Sequence, residues 1–316
     1  IILFHDKINP RHNIEIVLLC SVVFSHFVMI SLVVAYCILG AVTFERLESQ
    51  HEREVKMNIS QIRGNTTQSI WLMTNRVLVF NQTNWTSEVV GMLKDFENAI
   101  LLEMKVRGWD GNESTEHIQW TFTGALFYSI IVITTIGYGH IAPKTQTGKV
   151  VTIFYAILGI PLMLLCLSNI GDVMASSFRF LYWRVCCYVC TRPPKQSHRH
   201  YIKPVPIWLC VFLVASYIVA GTFLFKRWEG WAYLDAAYFC FITLTTIGFG
   251  DFVPAQVGDA ADAVHSIALC SLYLLFGIAL LAMSFNLVQE EVRANVAAVA
   301  TRLGIIKPRD HSDNDF

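Results

Sequence analysis

Four stretches of this chain stay apolar for long enough to cross a lipid bilayer: 14–44, 148–174, 207–225 and 263–288. A spanning helix needs about 20 predominantly apolar residues. In the first stretch only Glu15, at its edge, is charged. Charged residues make up 15% of the 316, against about 25% in a soluble domain. A large soluble helical protein hides one such helix in its core, not several, so the expected fold class is an all-α integral membrane protein. Two further apolar stretches, 120–134 and 233–245, are too short to span. They fit re-entrant helices, which a bilayer tolerates only where protein buries their ends. The order is therefore span, half-span, span, stated twice. The first stretch also outruns the 7–15 residues of a signal core and lacks a small-residue site at its end, so no cleavable signal is expected.

Loop charges orient the spans. Between the second and third lie Arg179, Arg184, Arg192, Lys195, Arg199 and Lys203, with no Asp or Glu from 173 to 203. The positive-inside rule places that loop in the cytoplasm. Four spans then put both termini on the same side, and Lys7 and Arg11 agree. The expected plan is a cytoplasmic segment 1–13, span 14–44, an extracellular loop 45–118 and a first pore region 119–147. Span 148–174, a basic loop 175–206, span 207–225, a second pore region 226–262, span 263–288 and a cytoplasmic segment 289–316 follow. The outer loop carries five N-glycosylation acceptor triplets, at Asn58, Asn65, Asn81, Asn84 and Asn112, a pattern that agrees with an external position. Two helices are readable within it, 47–63 continuing from the first span and 89–105. The second repeats apolar residues at Val89, Leu93, Phe96, Ile100 and Met104, the spacing of one helix face. That face packs either on its own subunit or on another. None of the nine cysteines falls between 43 and 117, so this loop has no disulfide of its own. Cys186, Cys187 and Cys190, with His198 and His200, match no common zinc-finger spacing and read as reduced thiols.

The half-spans end in nearly the same words. Ile131 to Gly139 reads IVITTIGYG and Ile242 to Gly250 reads ITLTTIGFG, 111 residues apart, and Pro143 and Pro254 follow at the same offset. A whole span–half-span–span unit is duplicated. The residue types suit one task. Rings of backbone carbonyls replace the hydration shell of a potassium ion, and aiming successive carbonyls along one axis needs conformations open mainly to glycine. Gly137, Gly139, Gly248 and Gly250 supply them. Thr135 and Thr246 add hydroxyl oxygens at the inner mouth. Ile136, Ile247, Tyr138 and Phe249 are expected to face away from the axis and wedge each strand against its pore helix; Tyr138 has a hydroxyl there and Phe249 does not.

At these residues the sequence resembles potassium channels, and two pore units in one chain resemble the two-pore-domain potassium channel family. YAILGIPL at 155–162, NIGD at 169–172 and the long outer loop after the first span also match. The resemblance covers nearly the whole chain. It implies a potassium-selective leak channel of the plasma membrane, with no cofactor and K+ as the permeant ion. A filter of four strands would come from two subunits, as a homodimer or a heterodimer with a related subunit, in membrane lipid. The outer helices would pair as an extracellular cap. Many members link their caps through a cysteine near the apex, and this chain has none there.

Other residues are read more locally. His140 follows the first filter where the second repeat has Asp251, so its charge would change on modest acidification; acid-sensitive members of the family carry Gly-Tyr-Gly-His here. Gly159 and Pro161 in the second span, and Gly277 in the fourth, are candidate gating hinges. No span carries the spaced arginines of a voltage sensor, and no acidic ring replaces the filter glycines. No nucleotide-binding loop, paired carboxylates or hydrolase nucleophile is present, so no enzyme is expected. A net charge of zero and the lack of a basic run with aromatics give no sign of nucleic acid. A cation channel of relaxed K+/Na+ selectivity is the alternative. An adhesion or receptor protein would account for the outer loop but not for the repeated filter.

Overall fold

The computed structural model describes residues 10–76, 82–111, 118–189, 205–254 and 260–302. Asn81, Asn112 and residues 190–204 of the basic loop, with Cys190, His198 and His200, lie outside these. Among the described residues all regular structure is helical: α1 (Pro10–Arg76), α2 (Gln82–Leu102) with a π-helical turn Glu103–Arg107, α3 (Phe122–Ile133), α4 (Gln146–Val189), α5 (Ile207–Glu229), α6 (Tyr233–Leu244) and α7 (Ala260–Arg302). Four of them, α1, α4, α5 and α7, are long and apolar enough to cross a membrane. At 12 residues each, α3 and α6 reach about 18 Å, short of the ~30 Å hydrocarbon core. The protein is an all-α membrane protein.

Helix ends and membrane boundaries do not coincide. α1 runs unbroken for 67 residues, about 100 Å, so it continues far beyond the apolar stretch that ends at Phe44. From 45 to 76 the chain has no proline and a single glycine, Gly64, so nothing stops the helix until Arg76. α4 likewise runs 15 residues past Met174 and stays helical through Pro161. None of α2's residues is buried within this chain, although the Trp85 indole N–H donates to Thr74 Oγ1 of α1 at 3.0 Å.

The chain forms two compact units, one of 1–31, 163–247 and 272–316, the other of 32–162 and 248–271. Each holds one copy of the same aromatic quartet. In the second unit Phe44 meets Tyr128 edge-on at 4.8 Å and Tyr155 at 5.4 Å, while Trp120 meets Tyr128 at 5.1 Å. In the first, Phe225 meets Phe239 at 4.9 Å and Tyr273 at 5.2 Å, and Trp231 meets Phe239 at 5.2 Å. Lipid is as apolar as these rings, so helix contacts in a bilayer draw on packing rather than on exclusion of water. Edge-on pairs add about 0.5–1.5 kcal/mol each.

A second device repeats beside the quartet. Tyr36 Oη donates to the Tyr155 carbonyl at 2.8 Å and the rings stack at 4.6 Å. Tyr217 Oη donates to the Tyr273 carbonyl at 2.8 Å, with rings 4.8 Å apart. A Cβ on Gly40 would strike the Tyr155 ring, and one on Gly221 the Tyr273 ring, so glycine lets each pair of spans close up. Elsewhere in the first unit, Asn286 Nδ2 donates to Asp172 Oδ1 at 2.8 Å, and Arg179 pairs with Glu290.

Candidate functional site

Both short helices, α3 and α6, hand their chain to the glycine-rich stretch that follows, the candidate filter, in the same way. Thr134 N–H returns to Ile130 O (3.0 Å), Thr135 N–H to Val132 O (3.1 Å), and Ile136 and Gly137 N–H share Ile131 O at 3.1 and 3.2 Å. In the second repeat Thr245 N–H returns to Phe241 O (3.0 Å), Thr246 to Thr243 O (3.1 Å) and Ile247 to Ile242 O (2.9 Å). The amides of Thr135, Ile136, Gly137, Thr246 and Ile247 are thus spent on the helix ends. Each helix also brings its C-terminal end to the filter, where the partial negative charge favours a cation.

The backbone of the two strands repeats residue by residue. Thr135, Gly137 and Gly139 have φ of 60°, 58° and 82°; Thr246, Gly248 and Gly250 have 57°, 57° and 78°. The two threonines are the non-glycine residues with positive φ among the described residues. A β-branched residue in that region costs about 1–3 kcal/mol and persists only where surrounding structure enforces it. Alternating the hand of successive residues turns their amides to one side, and the carbonyls to the other.

The strands also come together. Within the second unit a Cβ on Gly248 would run into the Ile136 carbonyl oxygen, and one on Gly250 into that of Tyr138. Glycine is therefore required twice over, by φ and by the neighbouring strand's carbonyl. The backs of the strands differ. Ile136 and Tyr138 are 3% and 4% exposed, whereas Ile247 and Phe249 are 47% and 67% exposed. This chain covers the first strand with Phe127, whose ring lies 6.0 Å from that of Tyr138; the wedge expected of Ile247 and Phe249 is not made within the chain.

His140 packs 5.9 Å from both Phe127 and Tyr138. Its Nδ1 is buried without a hydrogen-bond partner among the described residues. Burial therefore penalises the charged ring and lowers its pKa from 6.5 to about 4. Gly159 and Gly277 sit at matching points. A Cβ on Gly159 would meet Tyr36 and Ile133, and one on Gly277 would meet Tyr217 and Leu244; Ile133 and Leu244 are the last residues of α3 and α6. Sequence reasoning missed this tyrosine–glycine–pore-helix contact. Its signal is that Gly159 and Gly277, like Tyr155 and Tyr273, stand 118 apart, while Tyr36 and Tyr217 stand 181 apart. Of the glycosylation candidates, Asn65 and Asn84 are exposed, and Asn58 is half-buried and turned toward the Arg107 guanidinium.

Comparison with known proteins agrees with this duplicated geometry. A family model described as ion channel matches twice, over residues 95–176 and 212–294. The chain is similar to potassium channel subfamily K member 4 of Rattus norvegicus, 31% identical over 275 residues covering 84% of this chain and 64% of the relative. It is also similar to the Mus musculus protein of that name, 29% identical over 282 residues, 84% and 63%. The chain thus spans a little under two thirds of the length of these curated relatives.

Proposed function

The chain belongs to the ion-channel family whose model it matches twice, within the two-pore-domain potassium channel branch, and from that premise we propose that it is one subunit of a potassium-selective leak channel. The observation that carries this reading is the alternation of left-handed backbone in both filter strands. Carbonyls aimed to one side replace the hydration shell of K+, with the Thr135 and Thr246 hydroxyls at the inner mouth. Members of this family are channels, not enzymes, and K+ is cargo rather than cofactor.

Two strands make half a ring. Gly248 and Gly250 face the carbonyls of this chain's first strand. A Cβ on Gly137 or Gly139 would meet no atom of this chain within 4 Å. Twofold symmetry places the second strand of another copy there, so four strands close around one axis. The same copy would cover Ile247 and Phe249, and the apolar face of α2 would pair with its counterpart in an extracellular cap. A homodimer satisfies all three, and a related subunit with the same strands would do so as a heterodimer.

Conduction without a voltage sensor makes the current a leak that helps set resting potential across the plasma membrane, with both termini cytoplasmic and the outer loop glycosylated. Gating is assigned to the filter. Gly159 with Pro161, and Gly277, are the points where movement of α4 or α7 reaches the end of a pore helix. Potassium-driven flux through liposomes holding only the purified protein tests the reading. Flux that Gly248→Glu abolishes is expected, and no flux from the wild type would end it in favour of an adhesion or receptor role.

A further inference from the structure

Three charged side chains on one face of α1, at Glu48, Glu52 and Lys56, do what no filter residue does. The Glu48 carboxylate is 1% exposed. Its Oε2 accepts from Lys144 N–H at 2.9 Å, both oxygens accept from Thr145 N–H at 3.3 Å, and Oε1 accepts from Thr145 Oγ1 at 2.5 Å. Thr145 Oγ1 in turn accepts from Gly148 N–H at 2.9 Å, in the first turn of α4. A Cβ on Gly148 would collide with Glu48, so glycine there admits the carboxylate. One turn along α1, Glu52 Oε1 accepts from Gln119 N–H at 2.8 Å and Oε2 from Trp120 N–H at 3.0 Å, just before Thr121 caps α3. A turn further, Lys56 is 1% exposed and holds Glu52 at 3.5 Å and Asp110 at 3.0 Å. Gly108, beside Asp110 on the cap's returning arm, lies against the Lys144 stem.

The bonds fall at the two ends of one segment. Residues 119–145 contain the first pore helix, the first filter and the loop after it, and adjacent turns of one helix hold both ends. Resting on the channel reading, we propose that Glu48 and Glu52 are positioning residues for the first filter. By binding backbone amides at each end of the re-entrant segment they set the separation of those ends, and with it the conducting geometry of Thr135–Gly139. Carboxylate acceptors make the stronger, shorter kind of hydrogen bond, and a carboxylate is favoured at the N-terminus of α4. The arrangement also makes the cap and the first filter one mechanical piece. The stretch from Gly40 to Glu48 has a counterpart from Gly221 to Glu229, but α5 ends there and α6 begins at Tyr233, so the Glu52 and Lys56 turns belong to the first repeat alone.

Glu48→Gln and Glu52→Gln keep shape but replace an acceptor by a donor facing donors. Single-channel recording is the readout, because a purely structural role changes the number of channels and not the behaviour of each one. Each variant is expected to keep unitary conductance and lose open probability about tenfold, which is about 1.4 kcal/mol. Glu54→Gln, on the exposed side of the same helix, is the charge control and stays at wild type. Wild-type open probability in both clamp variants overturns the proposal. Should Glu48→Gln not reach the membrane, Thr145→Val, which removes one partner and leaves the carboxylate, decides the matter by the same criterion. Hydrogen exchange on the purified wild-type protein is independent of any variant. Slow exchange at Gln119, Trp120, Lys144 and Thr145 is expected, and exchange at the rate of exposed loop amides overturns the proposal. A wild type that passes no current would instead remove the channel reading itself.

Discussion

Lowering external pH should reduce the current through His140, and the burial of that ring determines where. The packed imidazole lies against Phe127 and Tyr138, directly behind a filter residue, and burial lowers its pKa from 6.5 to about 4. The packed conformation is therefore the neutral one. Its stability is fully present above about 6.5 and is lost as pH falls toward about 4, because a solvated ring binds protons throughout that window. Relative to neutral pH, the solvated conformation gains about 3-fold at pH 6 and about 20-fold at pH 5. If the packed ring is favoured tenfold at neutral pH and the solvated one leaves the filter closed, half the current is lost near pH ~5.5. The assay is current against external pH in wild type and in His140→Asn, which stays polar and does not titrate. An acid response steepest between about 6.5 and 4 and missing from the variant is expected. Equal inhibition in both would clear His140 of the role. A histidine-dependent midpoint above 6.5 would refute the burial argument, since only a favoured charged ring titrates there.

Gly137→Glu and Gly248→Glu should each abolish potassium current while dimer assembly, read by cross-linking, survives; Gly248→Ala should suffice, because its Cβ meets the Ile136 carbonyl. Enzymatic deglycosylation should lower the apparent mass, replacing all five acceptor asparagines by Gln should remove that shift, and a tag near Lys195 should be reachable only after permeabilisation. Phe44→Ala or Phe225→Ala should cost about 3 kcal/mol of stability by opening the centre of an aromatic quartet, seen as a lower unfolding temperature in detergent; an unchanged temperature would show that the quartets carry little.

The spans and the repeated glycine-rich stretch were legible because their constraints are local. A bilayer leaves no backbone group unpaired, so an apolar run of sufficient length means helix, and a carbonyl-lined pore needs glycine at set positions. Hydropathy marks where lipid ends, not where a helix ends; hence Phe44 closes the apolar stretch while α1 continues to Arg76. The quartets stayed hidden because their members do not share one offset. Trp120 with Trp231 and Tyr128 with Phe239 are 111 apart, as the two glycine-rich stretches are, but the long segment inserted after Glu48 places Phe44 and Phe225 181 apart. His140 was visible as a titratable residue beside the filter, yet its value depends on rings at 127 and 138, which no spacing rule brings together. Glu48 and Glu52 look like two of many charges on the helix that continues past Phe44. Only the fold shows them holding backbone amides 67 to 97 residues further along the chain.

The central claim is that two glycine-rich strands per chain form a potassium-selective filter, and reversal potential tests it most directly. With the purified protein in a planar bilayer and Na+ replacing K+ on one side, the account predicts a reversal potential that moves about 59 mV for each tenfold change in K+. A reversal potential that stays near zero through the same exchange, in a membrane that does conduct, would contradict it and leave a cation pore of relaxed selectivity.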